Sequence, residues 1–276
     1  MIKVKNLKKI KVALMQGRLS PQVGSKFQYF PITNWSNELK QARKLNFNFI
    51  EWIISDFSNP VFNNYFKKTI KKKLGMSKMK ISSISLDLLM SYPIKNINFR
   101  DADWLSSELV KVVKFFKIER VSLPIEENAR FNNYNEKKYT TKIIEVFYKK
   151  LSKCCKLCLE TDIAPHALKD LLNNKKMKNL GLLLDLGNTK AHGFNIEEYF
   201  DLYSNKIFSV HVKYRDDNFG QTKYIKKNNF YELKYFLKNI QKLKNLGDIT
   251  FQTFKTDKNF TKDLKTNIKN FNEYIK

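Results

Sequence analysis

Four polar residues stand near the ends of apolar segments in the second half of the chain. These residues are Glu160, Asp185, His211 and Gln252, and each segment is typical of a buried parallel strand. The carboxyl ends of parallel strands meet at one edge of a sheet or one rim of a barrel, so the four side chains should converge. Two carboxylates, an imidazole and an amide oxygen suit a divalent cation such as Mn, Co, Mg or Zn. The sequence therefore predicts a metal site made by these residues.

The segment GLLLDLGN, at positions 181–188, shows this pattern most clearly. Its apolar residues carry no polar alternation, as expected of a strand covered on both faces. The polarity changes at Asp185, so we predict that the strand ends there and that residues 186–188 form a loop. Asp185 would then lie at the edge where parallel α/β folds usually build their chemistry.

Three residues spaced by two begin on the predicted seventh strand, residues 207–212, and continue past its end. His211, Lys213 and Arg215 would point to the same side of an extended chain, because successive side chains of a strand alternate between its faces. A metal ligand, an ammonium and a guanidinium would then face one pocket. Arg215 could bind a phosphate or a carbonyl-bearing polyol bidentately, with Lys213 as a point charge beside it.

Strand-like and helix-like segments alternate from one end of the chain to the other, which predicts repeated βα units and a parallel sheet. Eight strands with about eight helices in 276 residues favour an α/β fold of the closed (β/α)8 TIM barrel type, with residues 1–276 as a single domain. The predicted strands are residues 11–15, 48–52, 81–86, 120–123, 156–160, 181–185, 207–212 and 249–254.

The formal net charge of +26 would attract nucleic acid or an anionic substrate. The lysines are spread over nearly every predicted helix, however, and the accompanying richness in Asn, Ile, Phe and Tyr is what an AT-rich coding sequence would produce. The densest basic run, residues 67–80, contains no aromatic residue and predicts the solvated face of a helix. These patterns favour compositional drift over selected anion steering, and we expect no nucleic-acid partner.

The cysteines and the amino terminus bear on the compartment. Cys154, Cys155 and Cys158 have no second pair and no nearby His to complete a metal or redox site, which favours reduced, structural thiols. The first residues lack an apolar core of signal-peptide length, and no run approaches the ~18 apolar residues of a membrane span. We expect a cytoplasmic protein with no membrane partner.

Five short motifs, taken in order and spacing, resemble those of the xylose isomerase-like barrels. That group comprises sugar phosphate isomerases and epimerases, and it also contains the tagatose and psicose 3-epimerases and endonuclease IV. The likeness covers nearly the whole chain. The motifs are MQGRLSP at 15–21, FIEW at 49–52, LETD at 159–162, LDLGN at 184–188 and HVKYR at 211–215.

The resemblance implies a xylose isomerase-like barrel in which Glu160, Asp185 and His211 match metal ligands. It also implies a Glu as the fourth ligand, where the sequence FQTF places Gln252. A Gln can offer its carbonyl oxygen to a metal, but it has no titratable proton and cannot act as a general base.

A one-base reaction therefore follows as a hypothesis. A divalent cation would polarise a sugar or sugar phosphate, Glu160 would move the proton next to the carbonyl through an enediolate, and Lys213 would assist as a second catalytic residue. The substrate-binding candidates are Arg215, Arg18, Glu51, Asp87 and Glu126.

Two alternatives stay open at this point. A catalytically reduced barrel could bind a sugar or nucleotide-sugar intermediate of surface-polysaccharide metabolism, which Gln252 favours. Nucleic-acid binding through bulk charge is the other, although three His residues cannot build the multi-histidine zinc site of the nuclease branch. The expected partner is a small-molecule sugar or sugar phosphate, and the sequence leaves a homo-oligomer possible.

Overall fold

Eight parallel strands close into a barrel, with helices following the strands along the chain. The structure is a computed structural model, and it describes residues 10–24 and 26–275. The barrel strands are β1 (Lys11–Met15), β2 (Phe49–Ile53), β3 (Lys80–Ser85), β4 (Arg120–Ile125), β5 (Lys156–Thr161), β6 (Gly181–Asp185), β7 (Ile207–Val212) and β10 (Asp248–Phe251). A short antiparallel hairpin, β8 (Tyr214–Arg215) with β9 (Thr222–Lys223), lies between the last two of them in sequence.

The strand order is the sequential one of a (β/α)8 barrel. Each strand pairs in parallel with its neighbours in the chain, and β1 closes the ring by pairing with β10. The register places Asp185 of β6 directly beside His211 of β7. Two of the polar residues singled out from the sequence are therefore neighbours on adjacent strands.

Helices form the layer outside the barrel, and their apolar faces pack against the strands. In the helix Phe99–Phe116 the buried positions recur at helical spacing, as in Leu105, Leu109, Val112 and Val113. Each such side chain contributes about 1.5–3 kcal/mol when it is buried, which is what holds the helices on the barrel. The helices are α1 (Trp35–Lys44), α2 (Asn64–Ser77), α3 (Leu88–Ser91), α4 (Phe99–Phe116), α5 (Tyr134–Leu151), α6 (Lys169–Leu172), α7 (Leu186–Ala191), α8 (Ile196–Tyr203), α9 (Tyr231–Asn239) and α10 (Phe260–Asn272).

The predicted fold class is confirmed, since all eight predicted barrel strands are present. Among the helices of the described residues, none combines the length and the apolar character that crossing a membrane would require.

The predicted loop at residues 186–188 is wrong, because α7 begins directly after β6. The Asp185 carboxylate caps this helix by accepting the backbone N–H of Asn188 at 2.8 Å. Gly187 lets the helix approach β7, since a Cβ at that position would lie 2.8 Å from the carbonyl oxygen of Lys213. The turn from strand to helix is therefore tight and ordered, and it fixes the carboxylate.

Two strand ends also differ from the prediction. Strand β10 stops at Phe251, so Gln252 follows the strand and does not lie within it, with its N–H donating to Val212 at 3.2 Å. The extended run predicted through Arg215 is broken, because β7 ends at Val212 and Arg215 belongs to the separate hairpin. The chain direction changes between His211 and Arg215, so spacing by two does not describe their relation.

A buried ion pair lies inside the amino-terminal end of the barrel. The guanidinium Nε of Arg120 donates to Asp248 at 2.9 Å, and Ser209 donates its hydroxyl to the same carboxylate. Gly247 makes room for the guanidinium, because a Cβ there would overlap it. These buried side chains occupy the barrel interior at this end.

Candidate active site

Three residues predicted as metal ligands converge at the carboxyl-terminal ends of β5, β6 and β7. One ligand atom from each of Glu160, Asp185 and His211 lies within 4.8 Å of the other two. All three side chains are buried, with at most 2 % of each residue exposed. Two carboxylates and an imidazole at this separation form a donor set for a divalent cation.

His211 lies at the centre of this cluster. Its Nδ1 is 2.9 Å from Glu160 and 4.0 Å from Asp185, whereas its Nε2 is 3.1 Å from Glu51 on the opposite side. Burial lowers the pKa of His211, but the charges of Glu160 and Glu51 outweigh it and hold this pKa well above the usual value. Nδ1 is therefore the nitrogen that faces the other ligands.

Glu51, predicted from the sequence to bind substrate, lies on the other side of His211 from Glu160. Its carboxylate is fully buried and faces Nε2 of His211. Burial alone would raise the pKa of Glu51, but the charge of His211 and its hydrogen bond lower it overall. A carboxylate in this place fixes the imidazole ring, so we interpret Glu51 as a residue that positions His211.

Lys213 covers the cluster from the side of the solvent. Its Nζ lies 2.6 Å from Asp185, and its side chain lines the large cavity at the barrel mouth. Burial lowers the pKa of Lys213, but the charges of Asp185 and then Glu126 outweigh burial. The pKa is therefore raised above its usual value, and the ammonium stays charged. The predicted catalytic lysine is thus next to the candidate ligands.

Gln252 offers one oxygen that is not used by the protein. Its amide nitrogen donates to Gln28 at 2.8 Å, while its buried Oε1 has no hydrogen-bond partner within residues 10–24 and 26–275. A buried carbonyl oxygen without a donor is costly unless something else binds it. This free oxygen and the chemistry of the Glu160, Asp185 and His211 donors fit a divalent cation.

A cavity of about 760 Å³ opens above these residues at the mouth of the barrel. Its wall is polar and carries cations, carboxyl groups, amides and a few aromatic rings. The lining residues include Arg18, Lys26, Phe27, Gln28, Tyr29, Asp87, Glu126, Glu127, Lys213, Arg215, Gln252, Phe254 and Lys255. A cavity of this size and polarity is suited to a sugar-sized ligand.

Two carboxyl groups of the wall, Asp87 and Glu126, have raised pKa values. Burial raises the pKa of Asp87 to about 6, although Ser85 and Gln28 donate to it at 2.5 and 2.6 Å. Burial, followed by the charge of Glu160, raises the pKa of Glu126 well above its ordinary value. These predicted substrate-binding residues therefore present protonatable groups to the cavity.

The predicted substrate-binding residue Arg215 reaches the cavity wall, but its guanidinium is engaged with the protein. It donates to Gly220 at 2.9 Å, to Phe219 at 3.4 Å and to Asn188 at 2.7 Å. Asn188 in turn donates to Glu126 at 2.5 Å. Arg215 thus holds the hairpin loop beside the site.

The predicted substrate-binding residue Arg18 is buried at the cavity wall with only part of its guanidinium engaged. Its Nη2 donates to Gln28 at 2.5 Å, and the guanidinium lies 4.6 Å from the ring of Phe27. Its Nε and Nη1 have no hydrogen-bond partner among the described residues. Burial lowers the pKa of Arg18 to about 10.

Sequence reasoning missed Gln28 and Lys255. The amide of Gln28 accepts from both Arg18 and Gln252 and donates to Asp87, so it joins three strand ends. It lies in the long connection between β1 and α1, where no periodicity indicates which way a side chain points. Lys255 follows Gln252 by three residues, a place after a predicted strand that could have drawn attention to it.

Comparison with known proteins gives structural matches only, since no protein-family profile and no curated protein matches the chain. A xylose isomerase domain protein from Planctomyces limnophilus matches with a TM-score of 0.71 at 13% identity, over 95% of each chain. A xylose isomerase-like TIM barrel protein from Mycobacterium smegmatis in complex with magnesium matches with a TM-score of 0.69 at 12% identity, over 98% of this chain and 99% of that one.

A sugar phosphate isomerase/epimerase from Parabacteroides distasonis matches with a TM-score of 0.67 at 14% identity, over 97% of this chain and 96% of that one. These identities establish a common fold and leave the activity to the site. The chain has the fold of the xylose isomerase-like TIM barrels, as the sequence motifs predicted.

Proposed function

We propose that this protein is a divalent-metal-dependent isomerase or epimerase that transfers a proton next to the carbonyl of a sugar or sugar phosphate. The observation that carries the proposal is the convergence of Glu160, Asp185 and His211 below a polar cavity. The structural match to a sugar phosphate isomerase/epimerase, and to a barrel in complex with magnesium, supports the same kind of chemistry.

Glu160, Asp185 and His211 would hold the cation, with Gln252 as a fourth, neutral ligand. A bound divalent cation would supply electrostatic stabilisation for negative charge on the substrate oxygens. Glu51 would keep the imidazole of His211 oriented, and the ammonium of Lys213 would stabilise an oxyanion at the mouth of the site.

Proton transfer would be divided between two carboxyl groups, Glu160 and Glu126. Glu160 is the candidate base, because it lies at the strand end among the ligands. Glu126 lies close enough to Glu160 for that charge to raise its pKa, and it lines the cavity. A carboxyl group with a raised pKa is suited to returning a proton to the substrate, whereas the amide of Gln252 has no titratable proton to give.

The test uses the full chain, reconstituted with metal, and candidate ketoses and ketose phosphates in deuterated water. We expect deuterium to enter the carbon next to the carbonyl, as followed by NMR. Glu160→Gln should slow the exchange by at least about 100-fold, the usual contribution of a general base. Glu127→Gln is the matched control, since Glu127 lines the same cavity and is exposed, and it should exchange like the natural protein.

The second candidate function is a barrel that binds a sugar or nucleotide-sugar without turning it over. Gln252 favours it, because a titratable acid is missing from the strand end where the resemblance implies one. Sugar binding without any deuterium exchange in the metal-loaded protein would establish this second function and exclude the first.

A further inference from the structure

The four cations of the cavity wall that are buried or half-buried differ in how their charge is met. Lys213 is paired with Asp185, and the guanidinium of Arg215 is engaged by the hairpin loop and Asn188. Arg18 and Lys255 are also buried, but neither has a carboxylate oxygen within 4.0 Å in the part of the chain that the structure describes. Two buried cations in one cavity therefore have no ion-pair partner among residues 10–24 and 26–275.

Arg18 leaves two donors free toward a ligand. One nitrogen of its guanidinium is used by Gln28, while Nε and Nη1 have no partner within the described residues although only 2 % of the residue is exposed. An unpaired buried cation is destabilising, so proteins seldom keep one without a use for it. Nε and Nη1 lie on different edges of the planar guanidinium, so each offers its own charge-assisted hydrogen bond to a carboxylate or phosphate oxygen.

Lys255 lines the same cavity as Arg18 and is likewise a buried cation. Its ammonium donates to the carbonyl oxygen of Ser20 at 2.5 Å, and it lines the same cavity. Burial lowers the pKa of Lys255 to about 8, and the charge of Arg18 is the next contribution in the same direction. The two cations are thus close enough to repel each other across the wall.

The charge of Glu38, in helix α1 beside the β1–α1 connection, acts on both cations, and the charge of Asp87 acts on Arg18 more strongly still. Its two oxygens accept the N–H groups of Gly17 and Leu19, at 2.9 and 2.8 Å. Burial raises its pKa to about 7, so its negative charge is incomplete near neutral pH. Glu38 holds the connection in place and does not fully compensate the pair.

We propose that Arg18 and Lys255 bind an oxyanion of the substrate, which is the phosphate of a phosphorylated sugar or the carboxylate of an acidic sugar. The sugar part of this inference rests on the proposed function. Gln28 connects Arg18 to Gln252 through one amide group, so the oxyanion would lie on the same wall as the candidate metal ligand. The anionic end of the substrate is then fixed on the β1 and β10 side, away from the Arg215 hairpin.

The experiment measures anion binding without metal and without turnover. Chelator-treated full-length protein is titrated with inorganic phosphate, and separately with acetate, by calorimetry at constant ionic strength. We expect saturable binding, weakened about tenfold or more in Arg18→Gln and in Lys255→Gln, because a charge-assisted hydrogen bond is lost. Lys26→Gln is the control, since Lys26 is an exposed cation of the same cavity, and it should change the affinity by less than about twofold.

Thermal unfolding shows whether the variants are folded and adds a second readout. Without ligand, Arg18→Gln should melt at the temperature of the natural protein or above it, because an unpaired buried charge is removed; phosphate should no longer raise that temperature. If Arg18→Gln does not fold, Arg18→Lys keeps the charge but loses the separate Nε and Nη1 donors, and it should bind phosphate more weakly than the natural protein.

The anion titrations and the deuterium-exchange experiment test the anion site and the proposed activity separately. Tighter binding of phosphate than of acetate assigns a phosphorylated substrate, and the reverse assigns a carboxylate. No saturable binding of either anion, or equal weakening in Lys26→Gln and Arg18→Gln, would overturn the inference. Anion binding that depends on Arg18 in a protein that never exchanges deuterium would refute the proposed function alone.

Discussion

At the scale of single residues, the contact between Lys213 and Asp185 decides how tightly this site can bind a cation. The ammonium lies 2.6 Å from a carboxylate that is also a candidate ligand. A cation and the ammonium therefore compete for the same negative charge. Glu51 acts in the opposite direction, because a carboxylate behind His211 increases the basicity of that ligand.

Replacing Lys213 should therefore strengthen metal binding. We expect Lys213→Met to bind Mn²⁺ about tenfold more tightly than the natural protein, because the ammonium no longer competes with the cation for Asp185. A tenfold change in affinity corresponds to an electrostatic interaction that shifts a pKa by about one unit. Calorimetric titration measures this directly. Lys26→Met serves as control, because Lys26 is an exposed lysine of the same wall. Weaker Mn²⁺ binding by Lys213→Met would mean that the lysine supports the cation site and does not compete with it.

At the scale of elements, the connection between β1 and α1 is organised by Glu38 of the helix. Its carboxyl group accepts two backbone N–H groups of a segment that carries Arg18. In this loop the carboxyl group of Glu38 accepts the backbone N–H groups that carbonyl oxygens would accept in a helix or a sheet. The position of Arg18 in the cavity thus depends on a residue about twenty positions further along the chain.

Glu38 also predicts a pH dependence of stability. Its pKa is about 7 in the folded protein and 4.5 in the reference state, so the folded state binds the proton more tightly. The stabilisation from that proton is complete below pH 4.5 and is lost as the pH rises through about 7, by about 3 kcal/mol. Glu38→Gln lacks this titration.

The measurement is the free energy of unfolding by urea, at several pH values, for the natural protein and Glu38→Gln. Other groups titrate in the same range, so the difference between the two proteins is the quantity to follow. The stability of the natural protein relative to the variant should fall between pH 4.5 and 7. A difference that stays constant with pH would contradict the assignment.

At the scale of the whole molecule, the sequence predicted the barrel and part of the site. The strands are continuous apolar runs, and parallel packing brings their carboxyl ends together, so Glu160, Asp185 and His211 could be grouped without coordinates. The helix after Asp185 was missed, because its start depends on a side-chain cap and on the close approach of Gly187 to β7.

The sequence could not show which side chains of the site have hydrogen-bond partners in the folded protein. Arg18 was expected to bind substrate, but its two free donors are visible only when every neighbour is placed. The predicted role of Arg215 as an anion ligand competes with three contacts to its own loop and Asn188. A sequence shows which cations exist, whereas the folded chain shows which of them are already paired.

A cation held by Glu160, Asp185 and His211 is the central requirement of the proposed function, and metal binding tests it directly. Chelator-treated protein is titrated with Mn²⁺, and we expect one ion bound per chain. Asp185→Asn should lose most of this affinity, because it keeps the oxygen that caps α7 but loses the charge; Gln252→Glu should still bind the ion. Equal Mn²⁺ binding by Asp185→Asn and the natural protein, or no stoichiometric binding by the natural protein, would contradict the account.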